Sequence, residues 1–343
     1  MVKATNGRFG GFGRFVGSWK GRVPGLRFYE AIILADFAVV LWLLRKRALV
    51  GLDAARILRE CSAFAISVSG FLLGALVLRS LLAGRHAPRR AWIRLNAAIR
   101  PLSLLDLARF LLFVSLTSFA YSWLKVTLPL LRPDVLFDDV LYRVETALHA
   151  GVNPGIFLQG LFPYTALWQG LDRWYAAFIY SVLAGVAWFV SVLSPRERAR
   201  FAMGFSLLWI LGAWWYFAMP SLGPCFVLKD DYQGVRAAMP GQSAVMDVLY
   251  AHFGRIRAFH RHPEGTDIYP YLGIAAMPSL HVAAQAFFAF FARRRSRTLF
   301  LLYAAATAIT MFAAVVSGWH YAIDVYAGLL LAWSCVRVGE RFG

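Results

Sequence analysis

The chain has 343 residues, of which 59% are hydrophobic and 16% aromatic, and a mean hydropathy of +0.58. This composition excludes the pair of soluble domains that the length alone would suggest and points to a polytopic membrane protein. A net charge of +18 would suit a nucleic-acid binder in water. In a membrane protein it asks instead which loops carry the Lys and Arg, and no nucleic-acid partner is expected.

Crossing a hydrocarbon core about 30 Å thick takes about 20 apolar residues in helical form. In chain order, residues 1–27, Gly- and Arg-rich from Gly7 to Phe15, read as a flexible cytoplasmic tail with no signal-peptide pattern. Residues 28–103 hold two candidate spans, 28–44 and 62–78, and a basic loop. Asp36 in the first span is costly in lipid, so it marks either a helix partner or a functional position. Residues 104–343 read as one membrane domain with candidate spans 104–130, 174–193, 201–219, 278–292, 298–316 and 320–338, expected to be the catalytic one on the motifs described below. The fold class is therefore all-α, a polytopic helical bundle of about eight transmembrane helices.

Two stretches between spans have their own character. Residues 131–173 read as short amphipathic helices on the membrane surface, with Phe137, Val140, Leu141 and Val144 at helical spacing among Asp138, Asp139, Arg143 and Glu145. Residues 220–277 are polar and punctuated by Pro and Gly, a natural place for a substrate-facing lid.

Charge sets the orientation. Segment 79–100 carries Arg79, Arg85, Arg89, Arg90, Arg94 and Arg100 without an acid, 195–200 carries three Arg against Glu197, and 293–297 reads Arg-Arg-Arg-Ser-Arg. These are expected to face the cytoplasm. Loops 131–173 and 220–277 are charge-balanced and are expected to face outward, with both termini inside, as in an integral protein of a bacterial inner membrane whose active site is periplasmic or extracellular. One loop disagrees. Residues 45–61, with Arg45, Lys46, Arg47, Arg56 and Arg59, fall outside on this count, unless the first span lies in the interface.

Three motifs carry chemistry. Met277-Pro278-Ser279-Leu280-His281 stands where a polar loop becomes an apolar helix. Its unpaired N–H groups and the Ser279 hydroxyl suit an anion, and His281 can give or take a proton. In Ser317-Gly318-Trp319-His320-Tyr321-Ala322-Ile323-Asp324, His320 and Asp324 are four apart, so on a helix the carboxylate can fix the imidazole tautomer and leave the other nitrogen as nucleophile. Lys125 and Arg132-Pro133 end the third span, where two cations can neutralise phosphate oxygens as charge shifts. All three motifs land on one side of the membrane by a charge argument that does not use them.

Lys125-x6-Arg132-Pro133, Pro278-Ser279-Leu280-His281 and His320-x3-Asp324 resemble the three signature blocks of the type-2 phosphatidic acid phosphatase superfamily, over residues 104–338. The resemblance implies a six-helix core and a phosphohistidine mechanism. His320 would attack phosphorus, Asp324 orient it, His281 protonate the leaving group, and Lys125, Arg132, Ser279 and the position of Leu280 bind phosphate. In the superfamily's phosphatases Gly usually stands at Leu280, and Ser-Arg where this chain has Ala313 and Ala314. Those departures, with Gly223-Pro224-Cys225, look more like the inositol phosphorylceramide synthase branch, which moves a phosphoinositol head group between lipids. A basic residue such as Arg255, Arg257 or Arg261 would then stand in for the missing Arg.

The implied partners are a membrane lipid with a phosphate head group and a lipid or water acceptor, the latter making the enzyme a lipid phosphate or polyprenyl diphosphate phosphatase. A non-catalytic transporter is the reading from another class. No cofactor or metal is expected, because Lys125 and Arg132 supply the positive charge. His252, His260, His262 and Asp267 could hold a metal ion, but a solvated loop is the better reading. Asp134, Asp138 and Asp139 likewise read as the solvated face of a helix, and Trp319 and Tyr321 as interfacial aromatics. Cys61, Cys225 and Cys335 are too few and scattered to frame a fold.

Overall fold

In the computed structural model, the described residues are 26–46, 54–84, 101–162, 165–259 and 268–343, with the backbone alone for 79–84 and 101–105. His260, Arg261, His262 and Asp267, the first 25 residues and the basic segment 85–100 lie outside them. The helices are α1 (Phe28–Lys46), α2 (Ala54–Gly84), α3 (Pro101–Val126), α4 (Leu128–Leu131), α5 (Asp138–Leu148), α6 (Pro154–Leu161), α7 (Thr165–Ala176), α8 (Phe178–Val192), α9 (Pro195–Ala218), α10 (Pro224–Val227), α11 (Gln233–Ala238), α12 (Pro240–Arg257), α13 (Leu280–Ala292), α14 (Arg297–Val316) and α15 (Ala322–Phe342). Among the described residues there is no strand, and the chain is a polytopic helical bundle.

Among the described residues five helices are long and apolar enough to cross a membrane: Ala54–Leu78 of α2, Asp106–Val126 of α3, and α9, α14 and α15. α7 and α8 pass the same test only together and are bent by 49°, the geometry of a broken span or a re-entrant loop. The other two expected spans fall short for different reasons. α13 has only 13 residues, and α1 carries Glu30, Asp36, Arg45 and Lys46. The acids of α1 are not left bare in lipid: Glu30 is fully buried against Arg109, and Asp36 accepts from Trp214 Nε1 at 2.7 Å. Asp36 is thus tied to a helix partner, as an intramembrane carboxylate should be.

Short α13 is central because it is sheathed on all sides. It packs between α14 and α15 and touches α8 and α9, and its Phe287, Phe288 and Phe291 form one aromatic cluster with Phe189, Phe201 and Phe205 at centroid spacings of 5.2–6.3 Å. Lipid tails give helices no hydrophobic reason to associate, so close packing must hold them. Two glycines permit it at the start of α13. A Cβ on Gly212 of α9 would stand 2.6 Å from Leu280 Cδ2, and one on Gly328 of α15 would stand 2.5 Å from the Ser279 carbonyl oxygen.

The bundle's two ends differ in chemistry. At one end Arg27, Asp106 and Arg198 form a chain of ion pairs, Arg109 holds Glu30, and Arg295 reaches Glu197 and Glu340. At the other, the candidate catalytic end, lie Lys125, Ser279 and His320. α1 starts at the ion-paired end and finishes beside Phe119, Trp123 and Leu124, with Val40 and Leu44 in that cluster. α2 starts where α1 finishes: its Arg56 donates to the Ile268 carbonyl and its Glu60 accepts from Trp123 Nε1 at 2.6 Å. The first two helices therefore run in opposite directions, and the described part of the 45–61 region, which carries Arg45, Lys46, Arg56 and Arg59, sits at the candidate catalytic end against the charge rule. Part of its charge is satisfied in place, since Arg56 bonds Glu60 at 3.1 Å and lies over the Trp123 ring. In a background with Cys61, Cys225 and Cys335 replaced, cysteines placed at Lys46 and at Asp134 should react with an impermeant maleimide from the same side of the membrane, and one at Arg297 only from the opposite side. Labelling of Lys46→Cys from the Arg297 side would contradict this arrangement.

Candidate active site

The Pro278–His281 and His320–Asp324 motifs are tied through the backbone, Ser279 N–H donating to the Asp324 carbonyl at 2.9 Å. His320 N–H donates back to the Ala314 carbonyl of α14 at 3.1 Å, which fixes the turn that carries it. Ser279 is the N-cap of α13, its hydroxyl accepting from Val282 N–H at 3.4 Å, which leaves His281 in the first turn. Leu280 points its side chain into the core against Gly212, so at that position only its backbone is available to an anion.

His281 Nδ1 lies 3.2 Å from His320 Nε2. His320 is buried, and its other nitrogen, Nδ1, is 2.9 Å from the Ala276 carbonyl oxygen and 3.5 Å from Asp324 Oδ2. A carbonyl oxygen only accepts, so Nδ1 carries the proton and the Nε2 lone pair faces His281. Asp324 is also fully buried, and its Oδ2 accepts from Tyr321 N–H at 2.9 Å. At 3.5 Å its contact with His320 is longer than the 2.7–2.9 Å of a charge-assisted bond. The Ala276 carbonyl thus fixes the tautomer, and the carboxylate stands behind the ring to favour its positive form.

Lys125 approaches the site from α3. Its Nζ sits 5.8 Å from the Tyr121 ring and 5.7 Å from the Tyr216 ring. Arg132 is not brought to the histidines by any contact of this structure: it donates to the Phe217 carbonyl at 3.0 Å and lines a small cleft with Asp134 and Arg257. Arg257 is ion-paired to Asp134, and Ala313 and Ala314 are fully buried in the apolar cluster of Tyr175, Cys225 and Trp319. Neither Arg255 nor Arg257 takes the place of the missing Arg; Arg255 is exposed, and Arg257 stands beside Arg132 instead.

A model of the PAP2 superfamily, the type-2 phosphatidic acid phosphatases, matches residues 139–338. The chain belongs to this superfamily. Comparison with curated proteins and with solved structures returns no match. The matched segment contains Ser279, His281, His320 and Asp324 and starts after Lys125 and Arg132. Membership makes the chain a lipid phosphatase or phosphotransferase in the broad sense.

The PAP2 site has a layer around it that motif reading does not reach. Asp138 is not on a solvated face but buried: it accepts from Leu222 N–H at 2.9 Å, Gly223 N–H at 2.9 Å and the Tyr321 hydroxyl at 3.2 Å. Two turns on, buried Glu145 accepts from Ala322 N–H, the first residue of α15, and from Asn153 Nδ2 at 3.0 Å. With Leu141 between them, these residues make the protein-facing stripe of α5, while Val140 and Val144 are exposed. Loop residue Gly223, at φ 103°, fits under the Trp319 carbonyl, where a Cβ would come within 2.5 Å. His281 is held by the rings of Tyr175 and Phe178, at 4.7 and 4.6 Å, one on each side of the α7–α8 break. The spacing of Asp138, Leu141 and Glu145 by three and four was the available signal for α5; nothing local announced Tyr175 or Phe178.

Among the described residues no group of three or more His, Cys, Asp or Glu is placed to hold a metal ion. His252 is fully buried, and its Nε2 accepts from Tyr269 N–H at 3.1 Å, so it is a core residue and not part of a solvated loop.

Two expectations follow. Asp138→Ala strips acceptors from two N–H groups and a tyrosine hydroxyl, at about 1–3 kcal/mol for each buried group left unpaired. Turnover should fall about tenfold or more with little change in KM, read by steady-state kinetics; an unchanged kcat would exclude a positioning role. Burial, with a smaller contribution from the nearby Asp324 charge, pushes the Glu145 carboxyl from 4.5 up to about 7, against the pull of the Ala322 N–H. The folded chain therefore binds the proton that the unfolded chain has already lost, and stability should decrease as pH rises from 4.5 to about 7. Thermal unfolding in detergent should show this slope, and Glu145→Gln should flatten it.

Proposed function

We propose that this PAP2 protein cleaves a lipid phosphoester at the catalytic end of the bundle and passes the phosphoryl-bearing group, a phosphoinositol or related head group, to the hydroxyl of a lipid acceptor. One observation carries the reading: His320 directs its Nε2 lone pair at His281 Nδ1, 3.2 Å away, while Nδ1–H is pinned to the Ala276 carbonyl. Phosphorus approaching along that lone pair enters between the two imidazoles.

In the first step the His320 Nε2–P bond forms, the P–O bond to the leaving diacylglycerol oxygen breaks, and His281, as the imidazolium, gives its Nδ1 proton to that oxygen. In the second step the acceptor hydroxyl attacks phosphorus, its proton goes to His281 and the P–N bond breaks, restoring both histidines. Lys125 and the N–H groups at the start of α13 neutralise the phosphate oxygens in both steps. Asp324 stabilises the positive phosphoimidazole. Arg132 would join the phosphate site only on release from the Phe217 carbonyl.

Transfer rather than hydrolysis is supported by buried Ala313 and Ala314, which leave no basic side chain where the phosphatases carry Arg, and by the Gly223-Pro224-Cys225 loop, whose Cys225 N–H donates to the Gly318 carbonyl at 2.9 Å. The orientation that fits places the catalytic end on the periplasmic side of a bacterial inner membrane. The start of α1 and the end of α15, at the ion-paired end with the Arg293–Arg297 run, would then be cytoplasmic.

Purified protein incubated with phosphatidylinositol and either ceramide or a diacylglycerol of different acyl chains should yield a phosphoinositol lipid of new mass by mass spectrometry. His320→Ala should abolish it while eluting and unfolding as the wild type does. Release of inositol phosphate or inorganic phosphate alone would make water the acceptor and overturn transfer; full activity in His320→Ala would overturn the catalytic assignment.

A further inference from the structure

An apolar cavity inside the bundle, walled by α2, α3, α8 and α9, is not used by the chemistry described above. Its outer end is capped by Tyr271 and lies beside Phe64 of α2, Tyr121 of α3 and Ile179 of α8. Two of these residues neighbour the phosphate site directly. Lys125 Nζ is 5.8 Å from the Tyr121 ring, and Ile179 follows Phe178, whose ring is 4.6 Å from His281.

From that mouth the walls run toward the middle of the membrane together. α3 lines the cavity from Ser122 back to Val114, and α8 from Ile179 to Val186. At 1.5 Å per residue the α3 wall is about 12 Å long. Half of a hydrocarbon core about 30 Å thick is about 15 Å, so the cavity has the depth of one leaflet. A head-group site at the mouth of an apolar slot of one-leaflet depth is a shape that matches a single-leaflet lipid.

We propose that this cavity is a tail site, holding one hydrocarbon chain of the phospholipid donor while its phosphate rests at Lys125, His281 and His320. The proposal builds on the phosphoryl-transfer reading and adds what sets donor specificity. Two of the four walls, α2 and α3, precede the segment that matches the superfamily, and the other two, α8 and α9, lie within it, so tail-length selection is shared between the N-terminal helices and the matched bundle. A tail in the cavity fixes the phosphorus relative to Nε2 through contacts remote from the reacting atoms.

The test compares kcat/KM for dipalmitoyl and dioctanoyl donors, phosphatidate and phosphatidylinositol, in the same detergent micelles, with donor consumption followed by mass spectrometry. Val68→Trp and Val186→Trp each put a ring into the slot and should lower the long-to-short ratio by about tenfold, the effect of losing contact with a few methylenes. A ratio is insensitive to the fraction of protein that folds. In parallel, wild-type protein is photolabelled with a phosphatidate carrying a diazirine near one chain terminus. Adducts on the Phe64–Leu72 or Val182–Val186 stretches that excess unlabelled phosphatidate removes are expected. Unchanged ratios in both variants, or competable adducts that miss all four cavity walls on α2, α3, α8 and α9, would overturn the tail site while leaving catalysis intact. Wild-type protein that consumes neither donor would overturn the phosphoryl-transfer reading instead.

Discussion

The hydrogen bond from His320 Nδ1 to the Ala276 carbonyl, at 2.9 Å, is the contact on which the site depends. An imidazole has one lone pair only if the other nitrogen keeps its proton, and an oxygen that cannot donate settles which nitrogen that is. Everything nearby serves to keep that carbonyl in place. Ala276 N–H donates to the Ser221 carbonyl at 3.0 Å, and Met277 N–H to the Ser221 hydroxyl at 3.1 Å. The next residue of that loop, Leu222, is held by Asp138, which also holds Tyr321 beside His320. A chain of short polar contacts thus runs from α5 through two loops to the tautomer of one ring, in surroundings where an unpaired polar group is expensive.

Charged residues inside the bundle follow the same economy. Glu30 and Asp36 in α1 would be untenable facing lipid, and each has a partner on a neighbouring helix. The two ends divide the labour. Ion pairs among α1, α3 and α9 lock one end, while the catalytic end relies on backbone donors and buried carboxylates. This division explains how α1, with Glu30 and Asp36 in it, can pack along the bundle although its composition argues against a free-standing span.

Much of this was legible in the residues. Lys125, Ser279, His281, His320 and Asp324 stand out because phosphoryl transfer needs those groups at helix ends, and the structure brings the two histidines to 3.2 Å. What stayed hidden depends on distant contacts. Asp138 and Glu145 read as solvent-facing because their partners, Leu222, Gly223 and Ala322, are far along the chain. The bend between α7 and α8 has no Pro at its joint to announce it. The basic 45–61 region misleads for a physical reason. The positive-inside rule describes the average loop, and here the bonds of Arg56 to Ile268 and Glu60 belong to the fold. Arg132 shows the opposite limit, a motif residue whose guanidinium is committed to the Phe217 carbonyl.

Lys125 stands between two tyrosine rings and, among the described residues, has no carboxylate within ion-pair reach. Its nearest large neighbours offer only the faces of their π-systems, which soften a positive charge without cancelling it. In the proposed transfer, a lipid that arrives with phosphate would complete the pair, whereas the neutral diacylglycerol left after the first step would offer the cation nothing. The same ammonium would then hold donor and phosphate-bearing product alike and release the neutral lipid between the two steps.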